Sequence, residues 1–207
     1  MSGAHHHPDD DFALLHRWRA GDAHAGDQLT RRYYPNIRRF FDVKVPHFAE
    51  DLTQRTFLAC LERLDAFRGD ASFKAYLFGI ARFQLLRHLR SRQQDESFSR
   101  VMQFGGPQPK TSLSMVVAKR QEQHLLLLAY ARLPTEQQIA VELFYWEDMR
   151  TSEIADVLEI PVSTVTTRLS RGRAALRDAV IELTAPGRVR DELLSNLERW
   201  TRSLVGR

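Results

Sequence analysis

The sequence predicts an all-α fold: two small helical domains joined by a flexible linker, with an extra amphipathic helix at the C-terminal end. Three observations carry that expectation. Apolar residues recur at three- and four-residue spacing along most of the 207 residues, the mark of helices with one buried face. The stretch Asp95 to Ser114 breaks every periodicity, and its Gly105-Gly106-Pro107-Gln108-Pro109 run cannot propagate a helix. Beyond it, Thr151 to Leu176 reads as two short helices around a tight turn, the second of them basic.

Composition narrows the class. A net charge of +4 is compatible with nucleic acid without demanding it, so the distribution of charge has to decide. Cys60 is the only cysteine, which excludes an intramolecular disulfide or a thiolate zinc site and fits a reducing compartment. No apolar run approaches the roughly 18 residues needed to cross a membrane, so a cytoplasmic protein without stable membrane insertion is expected. There is no Gly-rich phosphate loop, no metal-ligand spacing and no nucleophile paired with a base, which argues against an enzyme and against a cofactor.

Taken in order, residues 1–10 read as a disordered polar tail containing His5-His6-His7, and the first domain spans 11–94. Phe12, Leu14, Leu15 and Trp18 form a helical stripe that Gly21 stops. Asp22 caps a second helix with Leu29, Tyr33, Ile37, Phe40 and Phe41 on one side, and Pro35 is expected to kink or interrupt it. The segment Ala49 to Phe67 is a third helix. Leu52, Phe57, Leu61 and Leu64 are its expected buried positions, and Glu50, Asp51, Gln54, Arg55, Glu62 and Arg63 its outer face. That mixed-sign face suits a protein partner, and a plain solvated face has the same spacing. After the loop at Gly69 to Ser72, residues Ala71 to Gln94 hold five cations (Lys74, Arg82, Arg87, Arg90, Arg92) and no acid, interleaved with Phe73, Tyr76, Phe78 and Phe83. Cations neutralise phosphates, and an aromatic spared from the core can stack on an unpaired base.

The linker covers 95–115, the second domain 116–184 and the C-terminal extension 185–207. Val116 to Leu133 and Pro134 to Asp148 are the next two helices. Thr151 or Ser152 caps the first helix of the turn motif, Pro161 ends the corner, and Ser163 caps the second helix. Val162, Val165, Leu169, Gly172, Leu176, Val180 and Leu183 share one side of that second helix, while Ser163, Thr166, Thr167, Ser170 and Arg177 share the other. Between Val162 and Arg177 stand four arginines and no acid. Small hydroxyls at the N-terminal turn can enter a major groove while guanidinium groups reach phosphates or guanine edges. An ordinary amphipathic helix with a solvated basic face has the same periodicity. After Ala185-Pro186-Gly187, the residues Val189, Leu193, Leu194, Leu197, Trp200 and Leu204 line a final amphipathic helix, expected to dock on the core, with a partner-binding helix as the alternative.

This order of elements resembles the extracytoplasmic-function sigma factors of bacterial RNA polymerase. The resemblance covers residues 12 to about 180. It is carried by GDAHAGDQLTRRYYPNIRRFF, AEDLTQRTFLACLERLDAF, FKAYLFGIAR, LPTEQQIAVELFYWEDM and TSEIADVLEIPVSTVTTRLSRGRAAL. It implies that the first domain is sigma region 2 and the second is region 4. It implies that Asp51, Gln54, Arg55 and Phe57 belong to the surface docking on the clamp helices of the largest polymerase subunit. Phe67, Arg68, Lys74, Tyr76, Arg82, Phe83, Arg87 and Arg90 would then engage the promoter −10 element. Ser163, Thr164, Thr166, Thr167, Arg168, Ser170, Arg171 and Arg173 would read the −35 element. The implied partners are core RNA polymerase, including the flap of its second-largest subunit, promoter DNA and an anti-sigma factor. Tyr76 stands where the family usually has Trp, Phe83 where it often has Asn, and Glu159 where it often has Gly. A helix-turn-helix regulator that binds DNA unaided has the same local motif, and so does an interaction adaptor that uses its C-terminal helix.

Overall fold

A computed structural model describes residues 8–67, 69, 71–98 and 117–205. Among these residues all regular structure is helical: α1 (Pro8–Arg19), α2 (Ala23–Asp42), α3 (Ala49–Glu62), α4 (Phe73–Phe98), α5 (Val117–Ala131), α6 (Thr135–Tyr145), α7 (Thr151–Leu158), α8 (Val162–Leu183) and α9 (Arg188–Val205). Short 3-10 turns at Pro46–Phe48 and Leu64–Ala66 flank α3. The chain forms two compact units, one from Met1–Leu86 with Glu142–Thr167, the other from Arg87–Val141 with Arg168–Arg207. Residues 142–167 are grouped with the N-terminal helices.

In the first unit the core is aromatic and aliphatic: Leu15, Leu29, Ile37, Phe40, Phe41, Leu52, Phe73, Leu77, Phe78 and Leu85 are fully buried. Asp22 caps α2 as its position predicts, accepting the amides of His24 at 3.0 Å and Ala25 at 3.3 Å. Gly26 is where α1 comes closest to α2, since a Cβ there would lie 2.4 Å from Trp18 Nε1. Pro35 does not interrupt α2. It sits on the exposed side, where the one carbonyl it leaves without a donor can reach water, and the buried stripe on the other side holds the helix together. Helix α1 starts at Pro8, inside the segment 1–10 expected as a tail. Asp10 pairs with Arg32 at 2.7 Å, and the buried Asp11 carboxylate accepts from Arg32 and from the Tyr33 hydroxyl. The three histidines of the tail, residues 99–115 of the linker and residue 116 lie outside the described residues, and α4 runs to Phe98.

In the second unit Tyr130 is the central side chain. Its hydroxyl donates to the Gln138 carbonyl at 2.9 Å, and Gln138 Nε2 donates back to the carbonyls of Tyr130 at 3.1 Å and Ala131 at 3.2 Å. Those bonds satisfy the last carbonyls of α5 and fix its junction with α6. Pro134 leads into α6 as expected, its carbonyl accepting from Gln137 and Gln138. Gly172 lets α8 pass tightly over α6, because a Cβ at that position would meet Val141 Cγ2 at 2.8 Å. Helix α9 packs against α5 with Leu193 and Leu197 buried, the docked arrangement its amphipathic stripe predicts.

Candidate nucleic-acid interface

The corner between α7 and α8 is built by local hydrogen bonds. Glu159 adopts left-handed backbone geometry (φ 54°, ψ 45°). Its amide donates to the Asp156 carbonyl at 3.3 Å, and the Ile160 amide donates to Ala155 at 3.2 Å, the bond pair of a Schellman motif. Glycine usually fills such a position, so Glu159 holds it with a small backbone strain. At the other end of α7 the cap is Arg150, not Thr151 or Ser152: Glu153 reaches back to accept the Arg150 amide at 2.9 Å, half of a capping box. Helix α8 likewise begins two residues earlier than a Ser163 cap would set it. The Pro161 carbonyl accepts from Thr164 and Val165, and Ser163 is already inside the helix.

That start turns one face of α8 to solvent. Ser163, Thr166, Thr167, Ser170 and Arg171 are exposed, Thr164, Arg168 and Arg173 half-buried, and Val165, Leu169 and Leu176 buried on the opposite side. Val162, expected on the apolar side, is exposed because it occupies the first helical position. The hydroxyls of Thr166 and Thr167 donate to the carbonyls four residues earlier, at 3.1 and 2.9 Å, which leaves their methyl groups and remaining lone pairs facing outward. Arg168 is engaged already, paired with Glu136 at 2.5 Å, whereas Arg171 is exposed.

The α4 residues sort differently. Phe67 is buried, 4.6 Å from the Tyr76 ring and edge-on to Phe73, with the Arg19 guanidinium over its face. It is a core aromatic in this structure. Tyr76 is half-buried and donates to the Arg63 carbonyl at 3.1 Å. Phe83 is 57 % exposed, and Arg87 and Arg90 are exposed. Lys74 Nζ lies 3.1 Å from the Glu147 carboxylate, and Arg82 is 3.8 Å from Glu159 with its Nε buried and without a hydrogen-bond partner. Arg68 lies outside the described residues.

On α3, Asp51, Gln54 and Arg55 are exposed and bonded along the helix: Arg55 to Asp51 at 3.0 Å and Gln54 to Glu50 at 3.1 Å. Glu50 also accepts from the Tyr34 hydroxyl at 2.7 Å, and that bond, with Gln54 and Arg38 nearby, holds its carboxyl below the usual range. Phe57 is half-buried and stacks on Tyr34 at 6.1 Å. Leu61, expected in the core, is 50 % exposed, and Leu58 is 58 % exposed. The side buried in their place is Leu52, Thr53, Thr56 and Cys60. Positions 51, 54, 55, 58, 61 and 62 share one helical face, so spacing alone was sufficient to join both leucines to the outer set. Burial pushes the Cys60 thiol up to about 12, which keeps it protonated and unreactive.

Comparison with known proteins adds to this geometry. Residues 29–94 match the family described as Sigma-70 region 2, and residues 123–176 match Sigma-70, region 4. The chain is 27 % identical over 150 residues to the ECF RNA polymerase sigma factor SigW of Bacillus subtilis, covering 66 % of this chain and 78 % of that protein. It is 26 % identical over 179 residues to the ECF RNA polymerase sigma-E factor of Escherichia coli K12, covering 82 % and 94 %. Two solved structures share the fold. One is the sigma factor RpoE in complex with the anti-sigma factor NepR from Bartonella quintana, with TM-score 0.60, 22 % identity and coverage of 74 % of this chain and 95 % of that one. The other is CnrH in complex with the cytosolic domain of CnrY, with TM-score 0.59, 24 % identity and coverage of 85 % and 99 %.

Proposed function

This chain belongs to the extracytoplasmic-function sigma factors of bacterial RNA polymerase, and from that premise we propose which of its surfaces carries each task. As a sigma factor it binds core RNA polymerase and directs promoter recognition, DNA melting and initiation. The −35 element is read by α8 through Ser163, Thr164, Thr166, Thr167, Ser170, Arg171 and Arg173, with Arg168 joining on release from Glu136. The observation that carries this reading is the solvent-facing row of hydroxyls and methyls with the exposed guanidinium of Arg171 on α8, backed by a buried apolar side. Hydroxyl and methyl groups suit base edges and thymine methyls, and the guanidinium suits guanine or phosphate.

Helix α4 supplies the −10 contacts: Phe83 offers the exposed ring for an unstacked base, and Lys74, Arg82, Arg87 and Arg90 supply phosphate contacts. Extruding a base costs a few kcal/mol, so it needs binding energy from elsewhere, which anchoring at −35 and on polymerase provides. The outer face of α3 docks on the polymerase clamp helices, with Leu58 and Leu61 as the apolar centre of a rim formed by Asp51, Gln54 and Arg55. Phe57 supports that face from beneath by its stack on Tyr34. Charge-rimmed leucines are the arrangement expected of a dissociable protein interface. An anti-sigma factor, of the kind bound to the Bartonella quintana sigma factor of like fold, completes the partner set. The protein acts without catalytic chemistry of its own. It works inside the cell, and no helix among the described residues is long and apolar enough to cross a membrane.

Run-off transcription tests the reading. Core polymerase, this protein and fragmented DNA of the source genome are expected to yield new 5′ ends, each preceded by a shared −35 and −10 pair. Core that responds to a control sigma factor but gives no new starts here would instead favour a regulator that binds DNA unaided.

A further inference from the structure

None of the tasks assigned above falls to α1, yet the end of α1 holds the turn that carries the chain from α3 into α4. The Arg19 guanidinium is forked around the Leu64 carbonyl, donating from Nε at 3.0 Å and from Nη2 at 2.6 Å, and Nη2 donates again to the Phe67 carbonyl. The same guanidinium lies over the Phe67 ring, 5.8 Å from its centroid. Phe12, further back on the same side of α1, stacks on that ring at 6.3 Å. Gly69, with φ at +83°, passes so near Phe12 that a Cβ would meet its ring at 3.3 Å. From α4, the Tyr76 hydroxyl donates to the Arg63 carbonyl at 3.1 Å, and its ring lies 4.6 Å from Phe67. The carbonyls of residues 63, 64 and 67 are thus all held by side chains from outside the turn.

The anchor is itself fixed. Arg17 donates to Asp22 at 2.9 and 2.7 Å, Asp22 caps α2, and Trp18 fills the space over Gly26. A guanidinium suits this place because its planar fork holds two carbonyls in one geometry, whereas an ammonium on a flexible stem acts as a point charge. Tyr76 and Phe83 share one side of α4, since their spacing returns almost to the same direction. The turn therefore closes the end of the side on which Phe83 offers its ring to an unstacked base. A base leaving the duplex is held better by a surface already in place than by one that must lose conformational freedom on contact.

We propose that Arg19 is a positioning residue for promoter opening: it fixes residues 63–67 beside the Tyr76 and Phe83 side of α4, so that the −10 strand meets a preset surface. The proposal rests on the −10 reading of α4 given above. Its test uses holoenzyme on a promoter recovered from the run-off starts, with open complexes read by permanganate reactivity of unpaired −10 thymines. Arg19→Gln is expected to form open complexes about tenfold less well, since both carbonyls lose a charged donor. Arg19→Lys, which keeps the charge and loses the fork, is expected to recover only part of that, leaving a loss of about fivefold. Phe12→Leu removes the stack alone and is expected to cost about threefold. Affinity for core polymerase and for a −35-only duplex is expected to stay within about twofold in all three, because neither surface includes the turn.

Amide exchange of the free, full-length chain supplies the structural reading, with uptake across residues 63–67 expected to quicken about threefold in both Arg19 variants. Arg19→Lys is the decisive variant: opening equal to the parent means that Arg19 acts only as a charge near DNA, and overturns the proposal. Opening that falls in step with −35 and core binding overturns it too, since that is the mark of a damaged fold. So does unaltered exchange across 63–67. If Arg19→Gln loses its helical circular-dichroism signal, Arg19→Lys and Phe12→Leu decide. Failure of the sigma reading is seen separately, as absent run-off starts with the unaltered protein, and removes this proposal with it.

Discussion

Helices α4 and α8 have nearly the same sequence credentials, a run of cations without acids, yet the structure treats their charges in opposite ways. On α8, Arg171 and the hydroxyl row are open to solvent. On α4, Lys74 and Arg82 are held by Glu147 and Glu159. A cation-rich helix therefore shows where anions can bind, while packing determines which of those cations is available. The acids that pair with Lys74 and Arg82 come from the segment of chain leading into α8, so the cations of the two helices differ in what packs beside them.

The strongest way to break that contrast is to damage the buried contact beside it. Lys44→Met leaves the Glu142 carboxylate buried without its ammonium, and Lys44 itself is buried deeply enough that desolvation lowers its pKa. Removing one partner of such a pair is expected to cost about 3–5 kcal/mol. Urea unfolding checks this; a loss near zero would mean that Glu142 finds water and that the α2 contact is loose. Next in size, Gly172→Ala forces a methyl to within 2.8 Å of Val141. It is expected to cost about 1–3 kcal/mol, and to weaken −35 binding only through loss of the folded population.

The same contrast exists within α8 itself, between a paired and an open arginine. Arg171→Ala is expected to weaken holoenzyme binding to a −35 duplex by about 1–3 kcal/mol if it meets a guanine, or to reduce the salt slope by about one if it meets only phosphate. Arg168→Ala should cost less, because in the wild type its pair with Glu136 must first be given up for DNA. Equal losses for the two would show that the Glu136 pair does not survive in the holoenzyme. Affinity measured against salt concentration separates these cases.

What the sequence made legible follows from how far each determinant reaches along the chain. The two-helix corner was readable as a motif because its bonds span only a few residues, as from Ile160 to Ala155, although its caps fall at Arg150 and Pro161 and not at the hydroxyl residues expected. Asp22 was readable for the same reason. The outer face of α3 was half-read. Leu61 was set inside by its apolar character, although its spacing puts it, with Leu58, on the face of Asp51, Gln54 and Arg55. The burial of Phe67 was not legible, because it depends on Phe12, Phe73 and Tyr76 arriving from separate elements. Least legible of all was Glu147, whose donors Asn36 and Arg39 lie 111 and 108 residues away. Nothing local distinguishes it from a solvated acid.

The smallest expected effect is also the cleanest comparison of the two helices, since each carries one interior glycine. A Cβ at Gly172 of α8 meets three side chains, whereas a Cβ at Gly79 of α4 meets nothing within 4 Å. Gly79 therefore has no close approach to preserve, and its only effect on stability is the backbone freedom it gives the unfolded chain. Gly79→Ala is expected to stabilise the protein by about 0.5–1 kcal/mol, opposite in sign to Gly172→Ala. Thermal unfolding of both variants at one pH and salt concentration reads the difference directly. Should Gly79→Ala also destabilise, α4 would have to be packed by something at that position in solution, and the residues 142–159 that already hold Lys74 and Arg82 are the first place to look.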